Sequence, residues 1–487
     1  MPNFVRDVLA RRPADTLAAV AEDADGVRRD WTFGELLASS AAVAGALRER
    51  GVDRGTVVLT LVGNRIEYVL TVLACLRIGA VALPCSEQLR PKDLELRLRR
   101  ASVRAVVCDK RNRAVLDAAM PDCPVLTVPD DALLGAGLEP GYAELGPLDP
   151  AFVLFTSGTS GEPKLVAHGQ RYVWGQDLQA ANWMAARPGE LVWSTAAPGW
   201  SKSARNSFLA PWLCGSAALV QDRRFDPAER LRTIRRHEVG VLCMAPTEYR
   251  LIAAAGPVRD VASLRRLVTA GEALGTAVVE AWQRDTGLVI ADGYGQTETG
   301  HLAGVRPGEV APPGSMGRPL PGVCVEIVDG ELCVDHTTVP TFFLGYDGRP
   351  GPSAGQLWHT GDLVRQDAEG WLYFESRADD VILSSGYRIG PAEVEATLQR
   401  HPAVREVAVI GLPDDTRGEV VTALVVLRDG HAASAALVAE LQEHAKRETA
   451  PYKYPREVRF VDTLPKTHSG KISRSALRAG IRTAGTR

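Results

Sequence analysis

The sequence predicts an α/β protein with a large N-terminal domain of parallel-sheet α/β subdomains and a small β-rich subdomain, followed by a small α/β C-terminal domain. The chain has 487 residues, too many for one ordinary domain. Helix-like and strand-like segments alternate through most of its length, as in βαβ units with a parallel sheet. Between Pro312 and Gly355 short segments rich in Pro and Gly replace this alternation, which resumes after Glu375.

The elements of the N-terminal part follow from hydrophobic spacing. Apolar residues recur with a helical period in some segments and form short continuous runs in others. The predicted helices are Trp31–Arg50, Glu67–Ile78, Pro91–Ala101 and Pro227–His237. The predicted strands are Thr56–Val62, Ala80–Leu83, Ala105–Cys108, Gly215–Gln221, Val239–Ala245 and Leu264–Thr269. Their order along the chain implies that the strands lie parallel.

The elements after Pro312 are shorter at first. The β-rich part contains the predicted strands Val323–Val328 and Glu331–Val334 and lacks helical periodicity. The C-terminal part contains the predicted helices Pro391–Arg400 and Ala433–Glu448 and the predicted strands Val404–Gly411, Val420–Leu427 and Val458–Val461. We place the domain boundary near Arg377–Asp380, which gives domains of residues 1–378 and 379–487.

Composition excludes several classes of function. Lys plus Arg is 56 and Asp plus Glu is 59, so the formal charge of −3 gives no electrostatic basis for binding nucleic acid. The eight cysteines are scattered without a C-x-x-C pair, as in a reducing compartment. The N-terminal residues lack a signal-peptide core, and no apolar stretch is long enough for a membrane span. These observations predict a cytoplasmic protein.

The strongest local pattern is Val153–Gly169, VLFTSGTSGEPKLVAHG. A short apolar run ends in small hydroxyl residues and glycines, and Lys164 follows. Such residues let consecutive backbone N–H groups converge on an anion, and a lysine adds a point charge. Only eight of the 56 basic residues are lysines, which singles out this one. The spacing does not match the nucleotide P-loop. The pattern predicts a phosphate-binding loop.

Four further segments carry candidate polar groups. In ADGYGQTETG, Tyr294 offers an aromatic face, Thr297 a hydroxyl, and Glu298 a carboxylate of the kind that Mg²⁺ takes beside phosphate oxygens. In WHTGDL, Asp362 follows a turn and could accept hydrogen bonds from two ribose hydroxyls. SRADDVILSSGYRIGP lies on the predicted domain boundary, and PKTHSGKISR contains Lys471.

Together, in this order, the five segments resemble those of the adenylate-forming, or AMP-binding, superfamily of acyl-CoA synthetases, peptide-synthetase adenylation domains and luciferases. TSGTSGEPK with His168, APGWSKSARNSFLAPWLCG and DGYGQTETG resemble most the medium-chain acyl-CoA synthetases. The resemblance covers nearly the whole chain. It implies that the protein uses ATP to convert a medium-chain or aromatic acid into an acyl-AMP and then passes the acyl group to the thiol of coenzyme A.

The resemblance also implies roles for particular residues. ATP and AMP would be bound by Thr156, Ser157, Gly158, Thr159, Ser160, Gly161, Lys164, Gly271, Glu272, Ala273, Asp292, Gly293, Tyr294, Thr297, Asp362, Arg377 and Arg388. The catalytic residues would be Lys471, Thr297 and Glu298, with Mg²⁺ on Glu298. The acyl pocket would contain Trp200, Lys202 and Phe208. Asp379 would be the hinge of a mobile C-terminal domain, and Gly386 and Tyr387 would lie beside coenzyme A.

Two alternatives stay open at this point. The acceptor is either coenzyme A or the phosphopantetheine thiol of a separate acyl carrier protein. Amino-acid-activating members place an Asp soon after an aromatic residue in the segment matching Trp200–Phe208, and here that segment, WSKSARNSF, has no acid. An α-amino acid substrate is therefore not expected. Lys202 and Arg205 either attract the substrate carboxylate or form a surface pair at the start of a helix.

Overall fold

A computed structural model describes residues 3–129, 140–156, 163–272, 274–385, 387–414, 416–449, 452–466 and 472–484. These residues separate into two compact units. The first holds the residues up to Cys324 together with Asp335–Leu357, and the second holds Val325–Val334 and the residues from Trp358 onward. The predicted boundary at residues 378 and 379 stays a prediction. The segment that precedes it, Trp358–Arg377, groups with the second unit.

The first unit contains a nine-stranded sheet. Its strands, in sheet order, are β15 (Arg318–Pro319), β14 (Gly300–Gly304), β13 (Ile290–Gln296), β12 (Arg266–Ala270), β11 (Val241–Cys243), β9 (Leu191–Ser194), β10 (Ala217–Gln221), β1 (Leu17–Glu22) and β2 (Arg28–Thr32). The strands from β13 to β1 are parallel. β2, β14 and β15 add antiparallel pairs at the two ends. The predicted parallel sheet is confirmed.

The same unit contains an eight-stranded sheet. Its strands, in sheet order, are β19 (Arg349–Pro350), β18 (Gly345–Tyr346), β8 (Lys164–Gly169), β7 (Pro150–Thr156), β4 (Val81–Pro84), β3 (Val57–Leu61), β5 (Ala105–Asp109) and β6 (Val125–Val128). The strands from β7 to β6 are parallel, whereas β8, β18 and β19 pair antiparallel. Two strands from the predicted β-rich segment thus extend the edge of this sheet beside β8.

The helices of the first unit mostly match the predicted segments. They are α1 (Phe4–Asp7), α2 (Phe33–Glu49), α3 (Ile66–Ile78), α4 (Pro91–Arg100), α5 (Arg113–Asp117), α6 (Gln170–Trp174), α7 (Gln176–Gln179), α8 (Lys202–Ala204), α9 (Ala210–Leu213), α10 (Pro227–His237), α11 (Pro246–Ala255) and α12 (Thr276–Thr286). The prediction that α2 starts at Trp31 is wrong, because Trp31 pairs with Ala19 in the sheet. Thr32 and Glu35 form a capping box that starts the helix after Thr32.

The largest core cluster of the first unit joins its two sheets. It contains Val58 of β3 and Ala218 of β10, with apolar residues of α2 and α3 between them. α3 is buried on every side from Tyr68 to Ile78, which explains its continuous apolar sequence. Phe208 and Trp212 belong to the same cluster. The segment that carries them is therefore fixed between the two sheets.

The second unit contains two sheets. The four-stranded antiparallel sheet has the order β16 (Val325–Val328), β17 (Glu331–Val334), β20 (Trp358–Gln366) and β21 (Leu372–Arg377). The five-stranded sheet contains β23 (Tyr387–Ile389), β22 (Ile382–Ser384), β25 (Gly418–Leu427), β24 (Val404–Asp414) and β26 (Glu457–Phe460). The expected β-rich part is thus confirmed, and it continues beyond Gly355 into β20 and β21.

Three helices complete the second unit. They are α13 (Pro391–Leu398), α14 (Ala435–Glu448) and α15 (Arg474–Ala484). The first two were predicted, and the third was missed because its sequence is basic and interrupted by Gly480. Within the described ranges of both units, no helix combines the length and the apolar character that crossing a bilayer requires.

Candidate active site

The predicted phosphate loop connects two antiparallel strands of the eight-stranded sheet. Thr156 ends β7 and lies opposite Lys164, the first residue of β8. The predicted loop residues Ser157, Gly158, Thr159, Ser160 and Gly161 lie outside the described residues. The hairpin brings the two ends of the loop, and with them Lys164, to the same end of the two strands.

Lys164 and Glu298 are joined through Tyr346, which sequence reasoning missed. The Lys164 ammonium lies 5.2 Å from the centroid of the Tyr346 ring. The Tyr346 hydroxyl donates to Glu298 Oε1 at 2.7 Å. β18 carries Tyr346 and pairs with β8, with Tyr346 opposite Val166. No local pattern marks this tyrosine, because its position depends on strand pairing between segments far apart in sequence.

Thr297 is positioned by a buried histidine. His168 Nε2 donates to the Thr297 backbone carbonyl at 2.8 Å. The ring is fully buried and packs on Tyr172, with 4.1 Å between the ring centroids. Burial lowers the pKa of His168 to about 3, so the imidazole is neutral at physiological pH. His168 therefore supports the Thr297 backbone.

The predicted adenine-binding residues lie on two neighbouring strands. β12 and β13 are parallel and pair with Ala270 opposite Gly293. Gly271 and Glu272 follow β12 directly, and Glu272 Oε2 accepts a hydrogen bond from Thr247 Oγ1 at 2.9 Å. Since parallel strands end at the same edge, these residues and Tyr294 come together there. Ala273 lies outside the described residues.

Asp292 occupies an environment that disfavours its charge. Burial raises the pKa of its carboxyl to about 7, while a hydrogen bond from the Gly293 N–H at 2.7 Å and the Lys202 ammonium oppose that rise. The Lys202 ammonium also donates to the Ala270 carbonyl. The structure thus places Lys202, which we expected in the acyl pocket, at the end of β12 beside Gly271.

Gly293 is required by the rings that lie against it. A Cβ at this position would lie 2.4 Å from His301 Cε1 and 2.8 Å from Trp183 Nε1, closer than any side chain tolerates. His301 packs on Trp183 with 4.2 Å between ring centroids. Burial lowers the pKa of His301 well below its usual range. These two residues form the wall behind the predicted adenylate strand, and sequence reasoning missed both.

The predicted acyl segment forms α8, a π-helical turn (Arg205–Leu209) and α9. Phe208 is fully buried, and its ring lies edge-on to Tyr68 at 5.9 Å and 5.1 Å from the Trp212 ring. It lines a small cavity together with Tyr68, Ser194 and Ser207. Trp200 is half-buried in the turn before α8. Phe208 thus gives this segment an apolar wall.

Arg205 does not belong to a surface pair. It is 3% exposed, and all five residues of its π-helical turn are buried. The alternative that Lys202 and Arg205 form an exposed pair at a helix start is therefore wrong. The turn lies inside the core cluster that joins the two sheets, which is why a position at the start of a helical segment is enclosed.

In the second unit, Asp362 and Arg377 form an ion pair. They lie opposite each other on β20 and β21, and Arg377 Nη1 donates to Asp362 Oδ1 at 2.9 Å. Asp362 is 5% exposed. Burial disfavours the charged guanidinium, but the carboxylates of Asp362 and Asp379 outweigh it and raise the pKa of Arg377. The two residues predicted to bind ribose are thus brought together, with the Asp362 carboxylate fixed by Arg377.

Asp379 and Asp380 belong to one helical turn but have different partners. Asp379 Oδ1 accepts from Arg377 Nε at 3.2 Å, next to the Asp362 pair. Asp380 accepts instead from Arg474 Nη1 at 3.2 Å and from Arg478 Nη2 at 3.0 Å, both on α15. The predicted hinge residue therefore pairs with a residue close by in sequence, whereas its neighbour pairs with the last helix.

Arg474 also anchors α15 to α13. It donates to both carboxylate oxygens of Glu395, at 2.8 and 2.7 Å. Burial raises the pKa of Glu395, and the Arg474 charge opposes that rise. Backbone pairing between Lys466 and Ile472 lies just before this helix. The segment containing Lys471 is thus followed directly by a residue with three charged contacts.

The remaining predicted residues lie near the start of the five-stranded sheet or outside the described residues. Tyr387 is 49% exposed and stacks on Tyr452, with 4.2 Å between parallel ring centroids. Arg388 lies on β23 opposite Leu383, and its side chain is outside the described part. Gly386 and Lys471 lie outside the described residues as well.

Comparisons with known proteins agree over the whole chain. Residues 5–346 match the family model described as AMP-binding enzyme, and residues 393–471 match the AMP-binding enzyme C-terminal domain. The chain is 38% identical to an uncharacterized acyl-CoA ligase, YtcI, of Bacillus subtilis, over 95% of this chain and 92% of that protein. It is 36% identical to the mitochondrial acyl-coenzyme A synthetase ACSM3 of Pongo abelii, over 98% and 89%. The crystal structure of a benzoate CoA ligase from Burkholderia xenovorans superposes with a TM-score of 0.88 at 27% identity, covering 98% of this chain and 100% of that one.

Proposed function

Because this chain belongs to the family of AMP-binding enzymes, we propose that the residues gathered above form the site of an AMP-forming acyl-CoA synthetase. The enzyme activates a carboxylic acid with ATP, forms an acyl-AMP and releases pyrophosphate. It then transfers the acyl group to coenzyme A and releases AMP. The observation that carries the assignment of residues is the joining of Lys164 and Glu298 through Tyr346.

The first step needs positive charge around the departing pyrophosphate. The carboxylate attacks the α-phosphorus in line, so catalysis depends on positioning and on neutralising negative charge. Lys164 supplies an ammonium at the start of β8, directly after the predicted phosphate loop. Glu298 offers hard carboxylate oxygens of the kind that Mg²⁺ prefers, and its Oε1 is already oriented by Tyr346. A magnesium ion held there would supply further charge to the phosphates.

Two groups of residues would bind the nucleoside. Tyr294 and the turn after β12 lie together and would contact adenine, and Gly293 leaves room for the rings of His301 and Trp183 behind them. The Asp362 carboxylate, fixed by Arg377, would accept hydrogen bonds from ribose hydroxyls. An aspartate that is already oriented loses less entropy on binding, which favours this role.

The acid should be an apolar one of medium length or an aromatic one. Phe208 gives the acyl segment an apolar wall, and the segment has no carboxylate to pair an ammonium. This favours medium-chain and aryl acids over acetate and over α-amino acids. The solved structures that this chain resembles include an anthranilate CoA ligase and a benzoate CoA ligase, which is consistent with an aromatic acid.

The second step requires a thiol at the same carbonyl carbon. A site closed around ATP leaves no path for a pantetheine arm, so the C-terminal domain would rotate about Asp379 between the steps. Gly386 and Tyr387 would then lie beside the arm of coenzyme A. Transfer to a carrier protein instead of coenzyme A is the alternative. A cytoplasmic location stays a prediction.

Pyrophosphate exchange tests this proposal directly. The protein is mixed with ATP and Mg²⁺ and with octanoate, benzoate, acetate or phenylalanine, and exchange is followed for each acid. Octanoate or benzoate should support exchange best, and coenzyme A should convert the adenylate to a thioester. Thioester formed on a carrier protein but not on coenzyme A would favour the alternative acceptor. Exchange with phenylalanine above all other acids would refute the assigned substrate class.

A further inference from the structure

Arg205 is a buried cation in the middle of the predicted acyl segment. It begins the π-helical turn that also carries Phe208, and it is 3% exposed. Its Nε and Nη1 atoms are fully enclosed and make no hydrogen bond to any described residue. Within the described ranges, no carboxylate lies close enough to form an ion pair with it. A buried guanidinium in this state is unusual, because the charge loses its hydration without compensation.

Other buried arginines of the same unit have partners. Arg230 donates to the Glu248 carboxylate at 2.9 Å, and Arg77 donates to the Pro140 carbonyl at 2.8 Å. Both are 7% exposed, about as buried as Arg205. Among the buried arginines of the described residues, Arg77 and Arg230 therefore have partners and Arg205 does not.

The ionisable groups that face Arg205 carry no negative charge at neutral pH. His168, Tyr172, His301 and Cys243 are its electrostatic neighbours. Burial holds both histidines neutral and keeps the thiol and the phenol protonated. His168 Nδ1 and His301 Nε2 are themselves enclosed without a hydrogen-bond partner among the described residues. Arg205 thus lies in a polar cluster whose members have nitrogen atoms without hydrogen-bond partners among the described residues and which contains no anion.

The cluster lies between the two predicted parts of the site. His301 contacts the backbone of Gly293 on the predicted adenylate strand. Phe208, on the same turn as Arg205, forms the apolar wall of the acyl segment. An acid bound along Phe208 would therefore have Arg205 within its reach.

We propose that Arg205 binds a second anionic group of the substrate, so that the enzyme acts on acids that carry another carboxylate besides the one that is adenylated. This inference rests on the proposed function. The reacting carboxylate is a poorer candidate, because it loses its charge in the acyl-AMP and an ion pair with it would be lost as the reaction proceeds. A second carboxylate keeps its charge throughout, so its pairing stabilises the substrate and the transition state alike.

Matched acids that differ by one carboxylate test the proposal. Octanoate is compared with octanedioate, and benzoate with isophthalate and terephthalate, by pyrophosphate exchange on the full-length chain with ATP and Mg²⁺. The wild type should prefer the diacid of at least one pair by about 10-fold or more in kcat/KM, because a desolvated charge pair is strong. In Arg205→Met that preference should disappear through a higher KM for the diacid, while exchange with the monoacid is retained.

A control variant separates this role from a structural one. Arg12→Met removes an arginine that donates to the Trp212 carbonyl at 2.8 Å, behind the same segment, and should keep the diacid preference. The diacid alone should raise the melting temperature of the wild type and of Arg12→Met but not that of Arg205→Met. If Arg205→Met does not fold, the proposal is tested by whether the wild type prefers a diacid over the matched monoacid.

The outcomes distinguish two failures. Exchange with monoacids but no preference for any diacid in the wild type would overturn the role of Arg205 and leave the synthetase function standing. The same holds if Arg205→Met keeps the diacid preference. If no acid of either kind supports exchange, the proposed function itself fails.

Discussion

Tyr346→Phe tests whether the tyrosine that joins Lys164 and Glu298 contributes to adenylation. The change removes one hydroxyl, which donates to Glu298 Oε1 at 2.7 Å, and keeps the ring beside the Lys164 ammonium. A hydrogen bond to an ionised acceptor contributes about 1.5–3 kcal/mol. If the bond positions Glu298 in the transition state, kcat/KM for pyrophosphate exchange should fall by about 10- to 150-fold.

The assay is pyrophosphate exchange at several magnesium concentrations. If Glu298 binds the metal, Tyr346→Phe should also need more Mg²⁺ to reach half of its maximal rate. Tyr373→Phe is the matched control, since the Tyr373 hydroxyl donates to Asp367 Oδ2 at 2.9 Å on the four-stranded sheet of the second unit. The control should change the rate less than about threefold. A similarly small change in Tyr346→Phe, or equal losses in both variants, would refute the role of Tyr346.

Three further predictions concern the two half-reactions and pH. Lys471→Ala should slow adenylation by about 100-fold or more while sparing thioester formation from supplied acyl-AMP, and equal loss in both assays would contradict its role. Asp379→Pro should retain pyrophosphate exchange and lose thioester formation, because proline fixes φ, whereas Asp379→Ala should retain both; survival of both steps in the proline variant would place the hinge elsewhere. The depressed pKa of His168, about 3, contributes stability that is fully present above the unfolded pKa near 6.5 and is lost as pH falls. The free energy of unfolding, measured by urea denaturation, should fall between pH 7 and pH 5, and His168→Gln should make this fall smaller by about 2 kcal/mol. If the variant and the wild type lose the same free energy of unfolding over this pH range, His168 is protonated in the fold.

The sequence predicts most elements because burial in parallel sheets leaves continuous apolar runs. The strands around Val58 and Val107 and the helix from Ile66 to Ile78 are visible in this way. The start of α2 was misplaced, since Trp31 fits both a helical face and a buried strand, and only its pairing with β1 decides. α15 was missed because its apolar side is narrow, with Leu477 and Ile481 one turn apart, and because charge pairing by Arg474 and Arg478 also holds it.

The residues of the candidate site also differ in how well the sequence predicts them. Residues whose proposed roles belong to one local motif, such as Lys164, Asp362 and Glu298, can be identified from the sequence pattern. Tyr346 is brought to the site by strand pairing between distant segments, so its neighbouring sequence carries no signal. His301 directly follows the ADGYGQTETG motif, but its contact with Trp183 depends on packing between distant segments. Arg205 is a third case. The sequence marks it as a candidate, but it does not show that the side chain is buried, because burial depends on packing between two sheets.

The charge contacts of Arg474 have a consequence for chains that terminate early. Leu477 and Ile481 of α15 pack against the apolar face of β24, and Arg474 neutralises the partly buried Glu395. A polypeptide that stops before Arg474 would expose that face and leave the Glu395 carboxylate without this counter-ion. During synthesis, the second unit therefore cannot reach its final stability until α15 has left the ribosome. Nonsense mutations close to the C-terminus should consequently act as folding defects that attract proteolysis, and not as harmless losses of a tail.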